Sequence, residues 1–387
     1  MKNCLKLIPA IVMFLYSQQS VAQQTDETSL TENSDTTISN YSAFQRSLSL
    51  AGVLQTRYVA SFTKNVDVNG KNFDTSTNGI TNTFLVKRAR VMLKANVNDH
   101  FSANVLVNLA DFNGDPSNKV LENAYIKYSL NKHFNVQAGQ FRPFFGIEDA
   151  IAVDIIRTLD FSNQYYAFAK NGWQSFQIGL SIFGTIDQKG RVRYFGGVYN
   201  GNNKNAATDN DNTKNFYGRL EVNAARDFTI AVNGSTGSLA NSGTGSALGG
   251  DFTARIPLSK GFFLLLMGEY KNGTNFVTYN SVTPALNPEL HNYRMQGFYF
   301  FPTLRYEYKH PRVRALELSC RYEYFDQDYI NNSNPQQTFI PNLSLIFADN
   351  FYAALQMGVS IDLFKNQIPL TSTYNHNLGY LQLQIRI

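Results

Sequence analysis

Long stretches of this chain alternate apolar and polar residues with a period of two, a pattern that few folds accommodate. In residues 47–62 the even positions are Leu48, Leu50, Gly52, Leu54, Thr56, Tyr58, Ala60 and Phe62, while the odd ones include Ser47, Ser49, Gln55, Arg57 and Ser61. Successive side chains of a strand point to opposite faces, so this is a two-faced strand. It is longer than the about five or six residues usual in globular sheets. The pattern recurs where Ala89, Val91, Leu93, Ala95 and Val97 oppose Arg88, Arg90, Lys94 and Asn96, and again over 101–109, 123–130, 175–182, 216–223, 316–324 and 380–387. No apolar run approaches the roughly 20 residues that a spanning helix needs. The longest in the body, Gly261 to Gly268, is of strand length.

Composition narrows the choice further. Charged residues are 16% and hydrophobic ones 43%, with 30 Phe and 22 Tyr and a mean hydropathy of -0.27. Disorder is excluded, because disordered chains lack aromatics and abound in charge. Cys4 and Cys320 cannot make a disulfide scaffold.

The first residues read as an address. Lys2 and Lys6, the apolar core from Leu7 to Tyr16 and the small residues Ser20-Val21-Ala22 make residues 1–22 an expected cleaved signal peptide. Residues 23–45 form a polar acidic linker that carries Asp26, Glu27, Glu32 and Asp35 and no base. Setting aside those two lysines and four acids, 32 bases face 25 acids, so residues 46–387 carry about +7 rather than the +5 of the whole chain.

Counting alternating segments gives about fourteen to eighteen strands in 46–387, with sixteen the best even number for a closed antiparallel transmembrane barrel. Short turns at 98–99, 131–132, 226–227 and 349–350 are expected between longer polar loops at 63–80, 111–119, 200–215, 235–248, 271–292 and 326–340. Only a closed sheet leaves no unpaired backbone edge in hydrocarbon. A soluble sandwich or propeller also alternates, but Phe and Tyr at strand ends suit the two interfaces of a bilayer better.

The stretches Phe84-Leu-Val-Lys-Arg-Ala-Arg-Val-Met-Leu-Lys94, Asn104-Val-Leu-Val-Asn-Leu-Ala-Asp111, Leu121-Glu-Asn-Ala-Tyr-Ile-Lys-Tyr128 and Val136-Gln-Ala-Gly-Gln-Phe-Arg-Pro-Phe-Phe-Gly-Ile-Glu148 resemble, in order and spacing, the phosphate-selective porin O and P family. The similarity covers about residues 80–180 and continues beyond them in strand layout. It implies a sixteen-stranded outer-membrane barrel in a Gram-negative bacterium, usually a homotrimer, that passes small anions such as phosphate or polyphosphate by diffusion. An arginine ladder and a lysine cluster guide anions in such proteins, and the lysine cluster is not assignable position by position here. The chain also ends in Ile387 rather than in the terminal aromatic common in such barrels.

Candidate pore-lining bases are Arg57, Arg88, Arg90, Lys94, Lys127, Arg142, Arg193 and Arg219. With Arg255, Arg305, Arg321 and Arg386, the expected polar strand face carries more bases than its acids Glu221, Asp251, Glu269, Glu307, Glu317 and Glu323. Basic rings favour anions by replacing lost hydration. Arg88 and Arg90 share a face about 7 Å apart at the rise of a strand. The alternative is that arginines pair with acids across the wall, and either role is open for each of them. The connection 142–171 is too long for a casual loop, and is expected to fold into the lumen as a constriction carrying Arg142, Glu148, Asp149, Arg157 and Lys170.

Enzyme signals are weak. The five histidines are scattered without ligand spacing, no nucleophile elbow occurs, and the bases form no nucleic-acid patch. No cofactor, metal or nucleic-acid partner is expected. The expected function is passive diffusion of small hydrophilic solutes with a preference for anions. The alternative is a non-transporting structural or adhesive exported protein.

Overall fold

The structure, a computed structural model, describes residues 46–387 apart from 78, 152–155, 207, 210, 283–287 and 309. The expected signal peptide and acidic linker lie outside the described residues.

The first strands are β1 (Ser47–Ser61), β2 (Asn82–Asn96), β3 (Phe101–Asn108), β4 (Leu121–Asn131) and β5 (Phe134–Phe141). After a long connection come β6 (Gln177–Thr185), β7 (Val192–Tyr199), β8 (Asn215–Ala225), β9 (Phe228–Gly237), β10 (Gly245–Ser259) and β11 (Phe262–Thr274). The series ends with β12 (Arg294–Glu307), β13 (Ala315–Asp326), β14 (Gln336–Ala348), β15 (Ala353–Phe364) and β16 (His376–Arg386). Each pairs with its sequence neighbours, and β1 meets β16 from Val53 opposite Arg386 to Ser61 opposite Leu378. The result is the expected closed antiparallel barrel of sixteen strands.

Leu50, Leu54, Val91, Ile126, Val232, Leu248, Leu318 and Leu383 stand exposed on the outer face, while Gln55, Arg57, Asn104, Gln137, Thr303, Asn342 and Gln382 are buried on the inner one. This inverts a soluble protein, and it is the arrangement hydrocarbon demands of a barrel. Among the described residues no helix is long and apolar enough to cross a membrane.

Short turns such as 132–133, 226–227 and 260–261 lie at one end, and long connections such as 62–81, 142–176 and 275–293 at the other. Three expected loops are shorter than their composition suggested, at 238–244, 275–293 and 327–335. Their flanks pair as strand: Ser235 faces Ala247, Thr236 faces Ser246, and Thr338 faces Glu323. Lumen-facing positions meet water, so strands there take the Ser, Thr and Asn that elsewhere mark loops. Phe176, expected on an apolar strand face, instead precedes β6 and is buried, with the Arg142 guanidinium 4.8 Å from its ring.

The aromatics divide between two environments. Tyr58–Phe84 and Tyr322–Phe339 pair near the long-loop end, and Phe101–Tyr128 and Phe262–Tyr306 near the short-turn end, as interfacial belts would. A second set, Phe141, Phe145, Phe168, Trp173, Tyr199, Tyr217 and Phe276, forms a buried cluster in which residues of the 142–176 connection pack against strand residues. Belts alone therefore do not account for the aromatic excess.

The two faces predict opposite tolerance. Val232→Arg, at the outward centre of β9, should cost about 2–4 kcal/mol of barrel stability. Ser235→Arg, at an inward position three residues on, should cost far less, and urea unfolding in lipid vesicles compares the two.

Candidate functional site

β5 stops where Arg142 precedes Pro143, whose missing N–H cannot extend the ladder. The chain then turns at Gly146, at φ 118, where a Cβ would collide with the Glu269 carboxylate and the Lys271 ammonium. One helical turn (Ile147–Ala150) follows, and later α1 (Asn163–Lys170), whose Ser162 cap accepts a hydrogen bond from the Tyr165 N–H at 3.2 Å.

This connection lies against inward side chains from many strands. Ile147 N donates to Glu269 Oε1 of β11 at 3.0 Å, and Asn163 N to Glu323 Oε2 of β13 at 2.7 Å. Asn163 Nδ2 donates to Thr338 Oγ1 of β14 at 2.8 Å, and Gln356 Nε2 of β15 to the Thr158 carbonyl at 3.3 Å. The Trp173 indole donates to the Thr274 carbonyl at 2.8 Å.

At its far reach Asp160 meets three cations. Arg88 Nη2 lies 2.7 Å from Oδ1, Lys87 Nζ 2.8 Å from Oδ2, and Arg57 Nη1 3.4 Å from Oδ2. The Tyr166 hydroxyl donates to Oδ1 at 2.5 Å. Burial pushes this carboxyl up, but Arg88, Lys87 and Arg57 outweigh it and hold it well below the usual range. Lys87 joins the cluster through a β-bulge: Gln55 faces Arg88 and Thr56 faces Val86, leaving Lys87 as the extra residue. A second bulge, in β4, leaves Glu122 between Leu121, opposite Val107, and Asn123, opposite Leu106.

Nearer the start of the connection the charges are buried. Glu148 accepts from Ser162 N at 2.8 Å, Asp149 from Gln174 Nε2 at 2.9 Å, and Lys271 Nζ lies 2.8 Å from Glu269 Oε2. Desolvation raises the Asp149 carboxyl to about 6, against the opposing pull of Lys271 and Arg142.

The remaining candidates separate into paired and unpaired bases. Arg90 Nη2 meets Glu122 Oε1 at 2.7 Å, so Arg88 and Arg90, neighbours on one face, serve different partners. Arg193 pairs with Glu221, its register partner on β8. Arg219 grips Asp251 through two contacts, at 2.5 and 2.9 Å. Arg157 pairs with Glu317, which Arg305 also meets at 2.7 Å. The Arg142 guanidinium donates to the Ile151 carbonyl at 3.1 Å and stands over the Phe161 ring at 5.4 Å. Lys94, Lys127 and the exposed Lys170 meet no carboxylate within ion-pair distance among the described residues. Lys94 faces Asn104 and Lys127 faces Ser102, so the two flank β3 on the inner wall near the short-turn end.

Sequence reasoning missed Lys87, Glu122 and Lys271. A signal for the first was present: Phe84 and Val86 are apolar at even positions, Ala89 and Val91 at odd ones, and that phase change marks a bulge.

Splitting the arginine pair predicts different losses. Arg90→Ala strands Glu122 and should cost about 3–5 kcal/mol of stability with selectivity kept. Arg88→Ala leaves Asp160 two cations, and should cost no more than about 1.5–3 kcal/mol while lowering anion preference. Urea unfolding and bilayer reversal potentials read the two effects separately.

Acidity should act through Asp149. Docked it titrates near 6, against an ordinary 3.8, so docking takes up a proton as pH falls through that window. Acidification from pH 7 to 4 should therefore tighten the docked segment, with Glu148, Glu269, Lys271 and Arg142 as the charged groups around it. Trp173 is the chain's single tryptophan, and its fluorescence should become harder to quench with iodide on acidification. Asp149→Asn should weaken that dependence.

Comparison with known proteins agrees with this geometry. The family model described as phosphate-selective porin O and P matches residues 61–261, just over half of the chain. Among solved structures, an anion-selective porin from Comamonas acidovorans superposes with TM-score 0.57 at 10% identity, covering 89% of this chain and 100% of that one. The outer-membrane channel DcaP of Acinetobacter baumannii gives 0.55 at 12% identity, covering 88% and 97%. OmpT of Vibrio cholerae in a trimer form gives 0.55 at 11% identity, covering 88% and 99%. At such identities these likenesses speak to the barrel fold. No curated protein matches the sequence.

Proposed function

The chain belongs to the phosphate-selective porin O and P family, and from that premise we propose that this outer-membrane porin passes small hydrophilic solutes passively with a preference for anions. The observation that carries the preference is a local surplus of inward cations. Arg57, Lys87 and Arg88 share the single carboxylate of Asp160, and Lys94 and Lys127 lie on the inner wall near the short-turn end without a carboxylate partner among the described residues. Elsewhere the inner-wall arginines are largely spent on acids, so the bias rests on few sites. Cations at a narrowing favour anions because they replace hydration lost on entry, and guanidinium matches oxyanions such as phosphate through paired donors.

In this reading residues 142–176 form the constriction, with Asp160 at its reach and Glu148, Asp149 and Lys271 fixing its start. The same reading includes cleavage of residues 1–22 on export, a homotrimer in the outer membrane, and lipid against the apolar outer face. Reversal potentials across a planar bilayer in a KCl gradient test the ion preference. The expected result is anion preference, reduced by Lys94→Gln with Lys127→Gln, and clear cation preference of the unaltered protein would overturn it.

A further inference from the structure

We propose that Asp160 is a resident stand-in for a permeating anion, and that Arg57, Lys87, Arg88 and Tyr166 form a binding site for the carboxylate group of a small organic acid. This rests on the anion-preferring reading above and gives it a ligand class.

The site already holds the group it would take. Its two carboxylate oxygens are divided, Oδ1 among Arg88, Tyr166 and the Phe161 N–H, and Oδ2 between Lys87 and Arg57. The back of the site is set in advance. Arg88 Nη1 donates to Gln55 Oε1 at 2.7 Å, and Arg57 Nε to Gln382 Oε1 at 2.9 Å. Both guanidinium groups are thus oriented without help from Asp160, and a preorganised site loses little entropy on binding. The front is partly exposed, the Lys87 side chain by 32% and that of Asp160 by 20%.

Asp160 can leave without moving its backbone. Arg321 Nη1 donates to the Asp160 carbonyl at 2.7 Å and Nη2 to the Phe161 carbonyl at 3.1 Å, while Arg57 also holds the Leu159 carbonyl. These contacts fix the main chain on either side, so turning the Asp160 side chain away exposes the cations. Three cations against one carboxylate leave a surplus of two positive charges with Asp160 in place and three with it turned out. A tethered carboxylate competes as though present at an effective concentration on the order of millimolar or above. A free acid then occupies the site only at comparable concentration, and removing the tethered competitor lets it saturate sooner.

The test is single-channel conductance against sodium acetate concentration, with sodium chloride as the reference, for the full chain in planar bilayers. Asp160→Ala should lower the half-saturating acetate concentration at least tenfold, a larger shift than it makes in the chloride curve. Superimposable acetate curves would overturn the proposal. If Asp160→Ala fails to insert, Asp160→Asn keeps the side-chain shape and is held to the same criterion. Adding Lys87→Gln to the Asp160 variant should restore the high half-saturation, and no change on adding it counts against the site. Inorganic phosphate saturating the variant at lower concentration than acetate would overturn the carboxylate assignment. Cation preference of the unaltered protein in KCl sinks the parent reading, whereas anion preference with unaltered acetate curves sinks this inference alone.

Discussion

Every strand of this chain must satisfy its backbone hydrogen bonds before it can sit in hydrocarbon, and the seam between β1 and β16 makes that possible. Without that seam two edges of unpaired N–H and C=O groups would face lipid, each costing several kcal/mol. Closure also explains the chemistry of the faces. Once the backbone is satisfied within the wall, side chains alone meet the surroundings, and the period of two divides them between lipid and water.

The interior then raises a problem the wall does not. A water-facing lining of arginines and acids has to be kept from collapsing into random pairs. Direct cross-strand partners such as Arg193 and Glu221 settle part of it, and Arg219 with Asp251 another part. The 142–176 connection settles a further part, bringing Asp160 to Arg57, Lys87 and Arg88 and Asp149 into the field of Lys271 and Arg142. Its aromatic cluster around Phe145, Phe168 and Trp173 supplies the apolar burial that holds those carboxylates in place. Charge and packing are thus coupled in one segment.

Much of this was legible in the sequence. Strand number, the sense of each face and the family resemblance all follow from alternation and a few motifs, because those signals are local. Loop limits were read less well at 235–248 and 326–340, where Ser235 and Thr338 pair as strand because a wet lumen accepts the residues that ordinarily mark turns. Partner choice was not legible at all. Arg88 and Arg90 look equivalent in sequence, yet one meets a carboxylate 72 residues away and the other one 32 residues away. Nothing in a strand's own pattern says which acid the tertiary fold will deliver. Lys271 was missed because it fell at the start of the expected loop 271–292, whereas it lies on β11 and its role depends on Gly146 and Gln174 from the connection.

The bulge at Lys87 has a consequence for how such a protein can change over generations. One additional residue in β2 carries a charge to the water side while Phe84 and Val86 before it, and Ala89 and Val91 after it, keep their apolar positions. Inserting or deleting a single codon in a strand can therefore rewrite the electrical character of the pore in one step and leave the lipid coat untouched. A lineage of such barrels can explore new solutes through small changes in length, at positions where substitution alone would have to trade one face against the other.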